Sequence, residues 1–425
     1  MLEILLFSLP SIAASLLEPL ASVVDTALVG HLDTTLLAAL AIGTTILSSF
    51  TWMFNFLIHA STQAIASAKN IPLGSRANVS FSIAIIVSLL TCLFLYLFRF
   101  NLYELVGAQK NQFDLIDQYF LVRVYGHPAA ILYMTALSIL RGLSKVRTAL
   151  WFVLFTTVIN IFFTWLFLYH FEMGINGAAF GTVISNVVGT SITLIALGMN
   201  EKVRDGFFKT PPLEQWLSFG KNSLDLFGRS AAITGSLFLA ARFATQLGEV
   251  NLAAHQILLQ AWLFVSFFID GIAITANIKG SEYSKDLNLS ALKILIKRVL
   301  ILGGALGAVF SVIYFIFDQQ TQRIFTDDAL VLTHLRNLWW LIAISQIPNA
   351  LAFVYDGILF GLGDNGGFKW VRRWMLTGAI FVFFPIAYFG SGLFAIWLGL
   401  ICLNIFRLIT GFWTTRFIVS GMKTI

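Results

Sequence analysis

Residues 9–30 read LPSIAASLLEPLASVVDTALVG, a stretch apolar enough to cross a bilayer that nevertheless carries Pro10, Glu18, Pro19 and Asp25. A spanning helix needs about 20 mostly apolar residues. Charged side chains are costly at lipid depth, so those found there face a protein interior or a water-lined path. The stretch is too long for a leader core and has no small-residue cleavage site behind a short apolar run, so it reads as a retained span. Asp25 is then the residue to explain.

The rest of the chain has the same character. Of its 425 residues 58% are hydrophobic and only 11% charged, against a usual charged fraction of about 25%. The 41 phenylalanines and a mean hydropathy of +0.84 would leave a soluble particle coated in apolar surface. Long apolar runs recur throughout, which predicts an all-α polytopic membrane protein. The net charge of +6 sits in short turns between spans and does not point to nucleic acid. Cys92 and Cys402 lie in apolar runs and form neither a disulfide framework nor a metal-ligand pattern.

Twelve spans are expected, near 5–30, 36–68, 78–100, 114–139, 148–170, 176–198, 224–247, 251–279, 290–316, 329–360, 367–389 and 391–420. The charged connection near 199–223, with Pro211-Pro212, separates two groups of six. This gives an N-lobe over 1–200, a cytoplasmic linker over 201–223 and a C-lobe over 224–425. The PPLEQWLSF portion reads as the start of a short interfacial helix. Most of the 27 basic residues, among them Arg76, Arg141, Lys145, Lys279, Lys285 and Arg372, fall on the side that holds both termini. That bias places both termini in the cytoplasm.

An internal repeat supports the two groups. Pro128 with AAILYMTALSILRGLSK and Pro348 with NALAFVYDGILFGLGD stand about 220 residues apart; the turns MGINGAAFG and FGSGLFAIW are displaced by about 215. Six spans per copy make the repeats parallel, two six-helix lobes related by a pseudo-twofold axis along the membrane normal. Such a pair is suited to enclosing a cleft that opens to either face.

The polar residues within spans supply the chemistry. Desolvation disfavours a carboxylate's charged form, so Asp25 is suited to exchanging a proton or holding a cation. Pro10 lacks the N–H that would complete its turn and gives the first helix a place to bend. Asn160 can both donate and accept beside a carboxylate, and Thr164, one turn on, shares its face. Tyr119 and Thr182 read on their own as an interfacial anchor and a backbone-bonded hydroxyl. Asp270 and Asp356, each followed by glycine, either accept local hydrogen bonds or line an ion or substrate path. Arg123, Arg229, Arg242 and Arg407 are expected to neutralise acids such as Asp225, Asp270 or Asp356. Met53 suits a greasy cavity wall, as it does a lipid-facing one. GLGDNGG at 361–367 lacks the Lys-Ser/Thr of a phosphate loop. Without an ATPase cassette, redox centre or nucleophile–base pair, the chain does not read as an enzyme and calls for no cofactor.

With EPLASVVDTALVGHLDTTLLAALAI, MGINGAAFGT, LAAHQI from Leu252, IDGIA from Ile269 and YDGILFGLGD from Tyr355 in order along its full length, the chain resembles the multidrug and toxic compound extrusion (MATE) transporters, in particular their DinF-like branch. The resemblance implies a two-lobe fold and alternating access. It implies export of cationic or amphipathic organic compounds in exchange for H+ or Na+, across a prokaryotic inner membrane, by a monomer. It assigns Asp25, Tyr119, Asn160 and Thr182 to the cation-coupling cluster of the N-lobe, with Thr164, Asp270, Asp356 and Met53 as cavity or secondary residues and Pro10 as the hinge. The branch often has an acid where Thr164 stands, so this chain has one carboxylate fewer there. The acids that the norfloxacin-exporter branch uses in its C-lobe are not intact, Asn349 standing at one of those places. Proton coupling through Asp25 is the favoured expectation, with a Na+-coupled exporter and a lipid-linked precursor flippase as alternatives.

Overall fold

A computed structural model describes residues 2–30, 32, 34–68 and 72–422, apart from the side chains of Glu18 and Thr34. Glu18, which shares a helical side with Asp25 seven residues later, therefore lies outside the described side chains. The helices in order are α1 (Leu2–Gly30), α2 (Thr34–Met53), α3 (Asn55–Ala66), α4 (Leu73–Val106), α5 (Phe113–Gly142), α6 (Val146–Trp165), α7 (Ile175–Gly198), the short α8 (Glu201–Arg204), α9 (Leu213–Gln246), α10 (Glu249–Lys285), α11 (Leu289–Ile316), the short α12 (Asp318–Arg323), α13 (Ala329–Gly361), α14 (Gly367–Gly378), α15 (Phe384–Phe389) and α16 (Gly392–Gly421).

Among the described residues, ten stretches are long and apolar enough to span a membrane. The long helices α5 and α9 complete the twelve; they are the polar ones, carrying Asp117, Arg123 and His127, and Asp225, Arg229 and Arg242. The fold is all-α and polytopic. Pro10 and Pro19 lie within a continuous α1. The second span is divided at Phe54 into α2 and α3. The expected interfacial helix at the proline pair is not separate: α9 runs unbroken from Leu213 to Gln246.

The repeat is visible in local backbone. A π-helical turn follows α6 at Leu166–His170 and another follows α14 at Ala379–Phe383. Each precedes a turn with a left-handed glycine, Gly174 (φ 58°) before α7 and Gly392 (φ 69°) opening α16. Such turns recur in the two halves because glycine adopts positive φ without a Cβ clash.

The chain forms two compact units, one of Ala13–Ser223 and one of Met1–Ile12 with Leu224–Ile425. In the first, α5 packs on α4 and α7, and α6 on α7. The segment expected to be a linker is docked there: Asn78 Nδ2 donates to the Phe207 carbonyl, Ser75 to Gln215 at 2.8 Å, and a Cβ on Gly74 would lie 2.2 Å from the Val203 carbonyl oxygen. In the second, α10, α11, α13 and α16 pack together around a buried core. The opening of α1 belongs to this unit, where Ser8 Oγ donates to Thr275 Oγ1 at 2.9 Å and Lys279 lies 4.8 Å from the Phe7 ring centre. A Cβ on Gly271 would sit 2.4 Å from the Ile12 nitrogen. Gly271, Thr275 and Lys279 recur at four-residue spacing, so one stripe of α10 receives the start of α1.

Candidate functional site

In the unit formed by Ala13–Ser223, the polar residues of four helices converge on Asp25. Close packing of α6 on α7 sets the geometry: a Cβ on Gly181 would fall 2.4 Å from Thr164 Oγ1 and 2.7 Å from the Thr164 nitrogen. Glycine at 181 thus lets α7 lie against α6 at Thr164. That approach brings Thr182 beside Asn160, whose Nδ2 donates to Thr182 Oγ1 at 3.2 Å. The C-terminal end of α1 is held by the π-helical turn after α6. Its Tyr169 hydroxyl donates to the Leu28 carbonyl at 2.8 Å, one of the carbonyls a helix end leaves unmatched.

Asp25, three residues before Leu28, interacts through its carboxyl with Thr164, Asn160 and Thr182. Asn160 and Thr164 are 5% and 0% exposed. The cluster is left short of donors. Among the described residues, Asp25 Oδ1, Asn160 Oδ1 and Thr164 Oγ1 are buried without a partner at hydrogen-bond geometry. Buried polar atoms are ordinarily satisfied, and unmatched ones call for an explanation.

Tyr119 joins this cluster from α5, buried against α2, where a Cβ on Gly43 would come within 2.7 Å of its ring. It is no interfacial anchor. Its oxygen accepts from Arg123 Nη1 at 2.7 Å, and both residues interact electrostatically with Asp25. Arg123, one of the four arginines expected to neutralise acids such as Asp225, Asp270 or Asp356, stands in the Asp25 cluster. The signal that finds it is spacing, since Arg123 follows Tyr119 by four residues on one helical face. Tyr169 gave no such signal, because its contact depends on the π-helical turn.

Asp270 and Asp356 lie in the other unit. Asp356 Oδ2 accepts from Arg229 Nη2 at 2.5 Å and Nε at 3.0 Å, and from Arg407 Nη2 at 2.7 Å. Arg407 also donates to Asn404 Oδ1. Asp270 feels the charges of Arg229, Arg407 and Asp356, while Asp225 pairs with Arg372 at 2.8 Å. Small cavities flank Arg407, one lined by Ser236, Trp262, Met375 and Asn404, the other by Asp356, Trp374 and Thr410. The glycines after the two acids serve packing: Gly271 admits α1, and a Cβ on Gly357 would lie 2.4 Å from the Ala273 carbonyl oxygen. Met53 is the last residue of α2 and is not among the groups that interact with the Asp25 carboxyl. Pro10 is buried, two residues before the chain passes from one unit to the other.

A family model described as MatE matches residues 10–166 and 226–389. Protein DETOXIFICATION 44, chloroplastic, of Arabidopsis thaliana is 30% identical over 97% of this chain and 81% of its own length. Multidrug resistance protein NorM of Photobacterium profundum is 24% identical, covering 87% of this chain and 84% of its own. The fold matches the crystal structure of the Vibrio cholerae MATE transporter VcmN in the bent form, with a TM-score of 0.89 at 17% identity over 99% of this chain and 97% of that one. The chain therefore belongs to the MatE family, multi-pass membrane antiporters of small organic compounds rather than enzymes.

Proposed function

We propose that this protein is a DinF-like, proton-coupled exporter of cationic or amphipathic organic compounds, acting as a monomer in a prokaryotic cell membrane with both termini in the cytoplasm. The observation that carries the reading is the set of unmatched buried oxygens on Asp25, Asn160 and Thr164. A proton on Asp25 supplies the missing donor, because a protonated carboxyl gains an O–H that can serve Asn160 Oδ1 or Thr164 Oγ1. Deprotonated, the same group offers a negative charge to a cationic compound.

In the proposed cycle Asp25 takes a proton on the outer side, loses its charge and trades hydrogen bonds with Asn160 and its neighbours. The bound compound then loses its counter-charge and leaves; on the inner side the proton departs and the next compound binds. Each step requires that proton and compound bind the two states with different affinity. Pro10 is the proposed hinge. Its support is the missing N–H and its place in α1, next to the point where helix residues cease to belong to one unit and join the other.

Oxygen clusters also bind Na+ in secondary transporters, and the same atoms favour Na+ coupling as the second reading. Counterflow in proteoliposomes with H+ and Na+ gradients imposed separately distinguishes them: a proton gradient alone is expected to drive efflux, and Na+ alone to leave it at the passive rate. Asp25→Asn is expected to insert normally and lose coupled efflux. Normal pH-driven efflux by that variant rejects the assignment.

A further inference from the structure

We infer that Arg123 is a specificity-determining residue that keeps metal cations out of the Asp25 cluster. The inference rests on the proton-coupled reading above and adds to it the reason that a cluster of oxygens does not take Na+.

The charges are few. Among the described residues the cluster holds one carboxylate, Asp25, and one cation, Arg123, with Tyr119, Asn160, Thr164 and Thr182 as its neutral polar members. His127, one turn beyond Arg123 on α5 and feeling its charge, is 4% exposed and faces the Phe54 ring at 6.3 Å. Among the described residues neither Asp25 nor Arg123 forms an ion pair within contact distance, so the guanidinium acts across the cluster rather than by clamping the acid. It is fixed in place by its bond to the Tyr119 oxygen and by lying 5.6 Å from that ring's centre.

A proton and Na+ would each add one positive charge. They differ in what holds them. The proton is held by a covalent O–H on a single carboxylate oxygen. A hard metal ion must exchange its water for several oxygen lone pairs at once. Arg123 opposes the second in two ways: it occupies a lone pair of the buried Tyr119 oxygen, and it places a permanent like charge within electrostatic reach of the carboxylate a metal would need. Like charges in a medium of low dielectric repel strongly, and guanidinium does not deprotonate to relieve the repulsion.

The experiment compares purified wild type, Arg123→Gln and Arg123→Lys in NaCl or choline chloride at one pH and ionic strength, reading thermal unfolding and Na+-driven efflux from proteoliposomes. Wild type and Arg123→Lys are expected to show no Na+-specific stabilisation. Arg123→Gln is expected to gain saturable stabilisation, with apparent Na+ binding tighter by roughly tenfold or more, and to lose it again in the Asp25→Asn double variant. A merely structural arginine would change stability equally in both salts. Arg123→Leu carries the same test if glutamine impairs folding. A neutral variant as blind to Na+ as wild type overturns the inference, as does wild type that already binds Na+ through Asp25. Failure of the underlying reading looks different: pH-driven efflux that survives Asp25→Asn.

Discussion

Asp25 and Asp356 are both aspartates within membrane-spanning helices, one in each unit, and their surroundings are opposite. Asp356 Oδ2 is held by two guanidiniums, Arg229 and Arg407, whose own planes lie near the Phe360 and Phe353 rings at 5.3 and 4.9 Å. Asp25 has threonine and asparagine side chains for neighbours, an arginine at a distance, and an oxygen without a donor. A carboxylate neutralised by two fixed cations is locked into one state. A carboxylate among neutral dipoles can change its charge without leaving a strong partner behind. The comparison supports the proposal that Asp25 is the acid that changes its charge, while Asp356 is held by two ion pairs.

That contrast can be broken by substitution. The largest effect is expected from Asp25→Asn, which should abolish coupled efflux while leaving thermal stability near wild type. Asp356→Ala should do the reverse in kind. Removing one partner of a buried ionic network typically costs about 3–5 kcal/mol because the remaining charges stay buried, so a large fall in unfolding temperature in detergent is expected. Stability unchanged in Asp356→Ala would erase the distinction between the two acids. Gly357→Ala should cost about 1–3 kcal/mol by overpacking α13 against α10, and the same thermal measurement reads it. Asn160→Ala sharpens the comparison at the smallest scale. Losing one hydrogen-bonding partner of the carboxyl, worth about 1.5 kcal/mol, should slow proton-driven efflux by roughly tenfold, with folding preserved.

Much of the site was legible before any coordinates. Apolar runs and an acid deep in the first span pointed to Asp25, and the four-residue step from Asn160 to Thr164 put two polar groups on one helical face. The partner of Arg123 stayed open for a physical reason: sequence shows that a buried cation needs a partner but not which helix supplies it. Its partner proved to be a tyrosine hydroxyl one turn away, not a carboxylate from the second half. Tyr169 escaped notice because a π-helical turn redirects its hydroxyl toward Leu28, and no residue type marks such a turn. The segment over 201–223 looked like a linker from its charge and prolines; its backbone carbonyls are nevertheless used by Asn78 and closely packed on Gly74.

Sequence by itself determined the class of protein, the number of long helices, the repeated halves and the family. Those features follow from period, length and transfer energy, which are local properties of the chain. Tertiary structure alone decided which acid is pinned by guanidiniums and which is not, and that the opening of α1, through Ile12, packs with the second half of the chain. Pairing and packing depend on which surfaces meet, and one glycine-sized gap, as at Gly181 or Gly271, is enough to settle that.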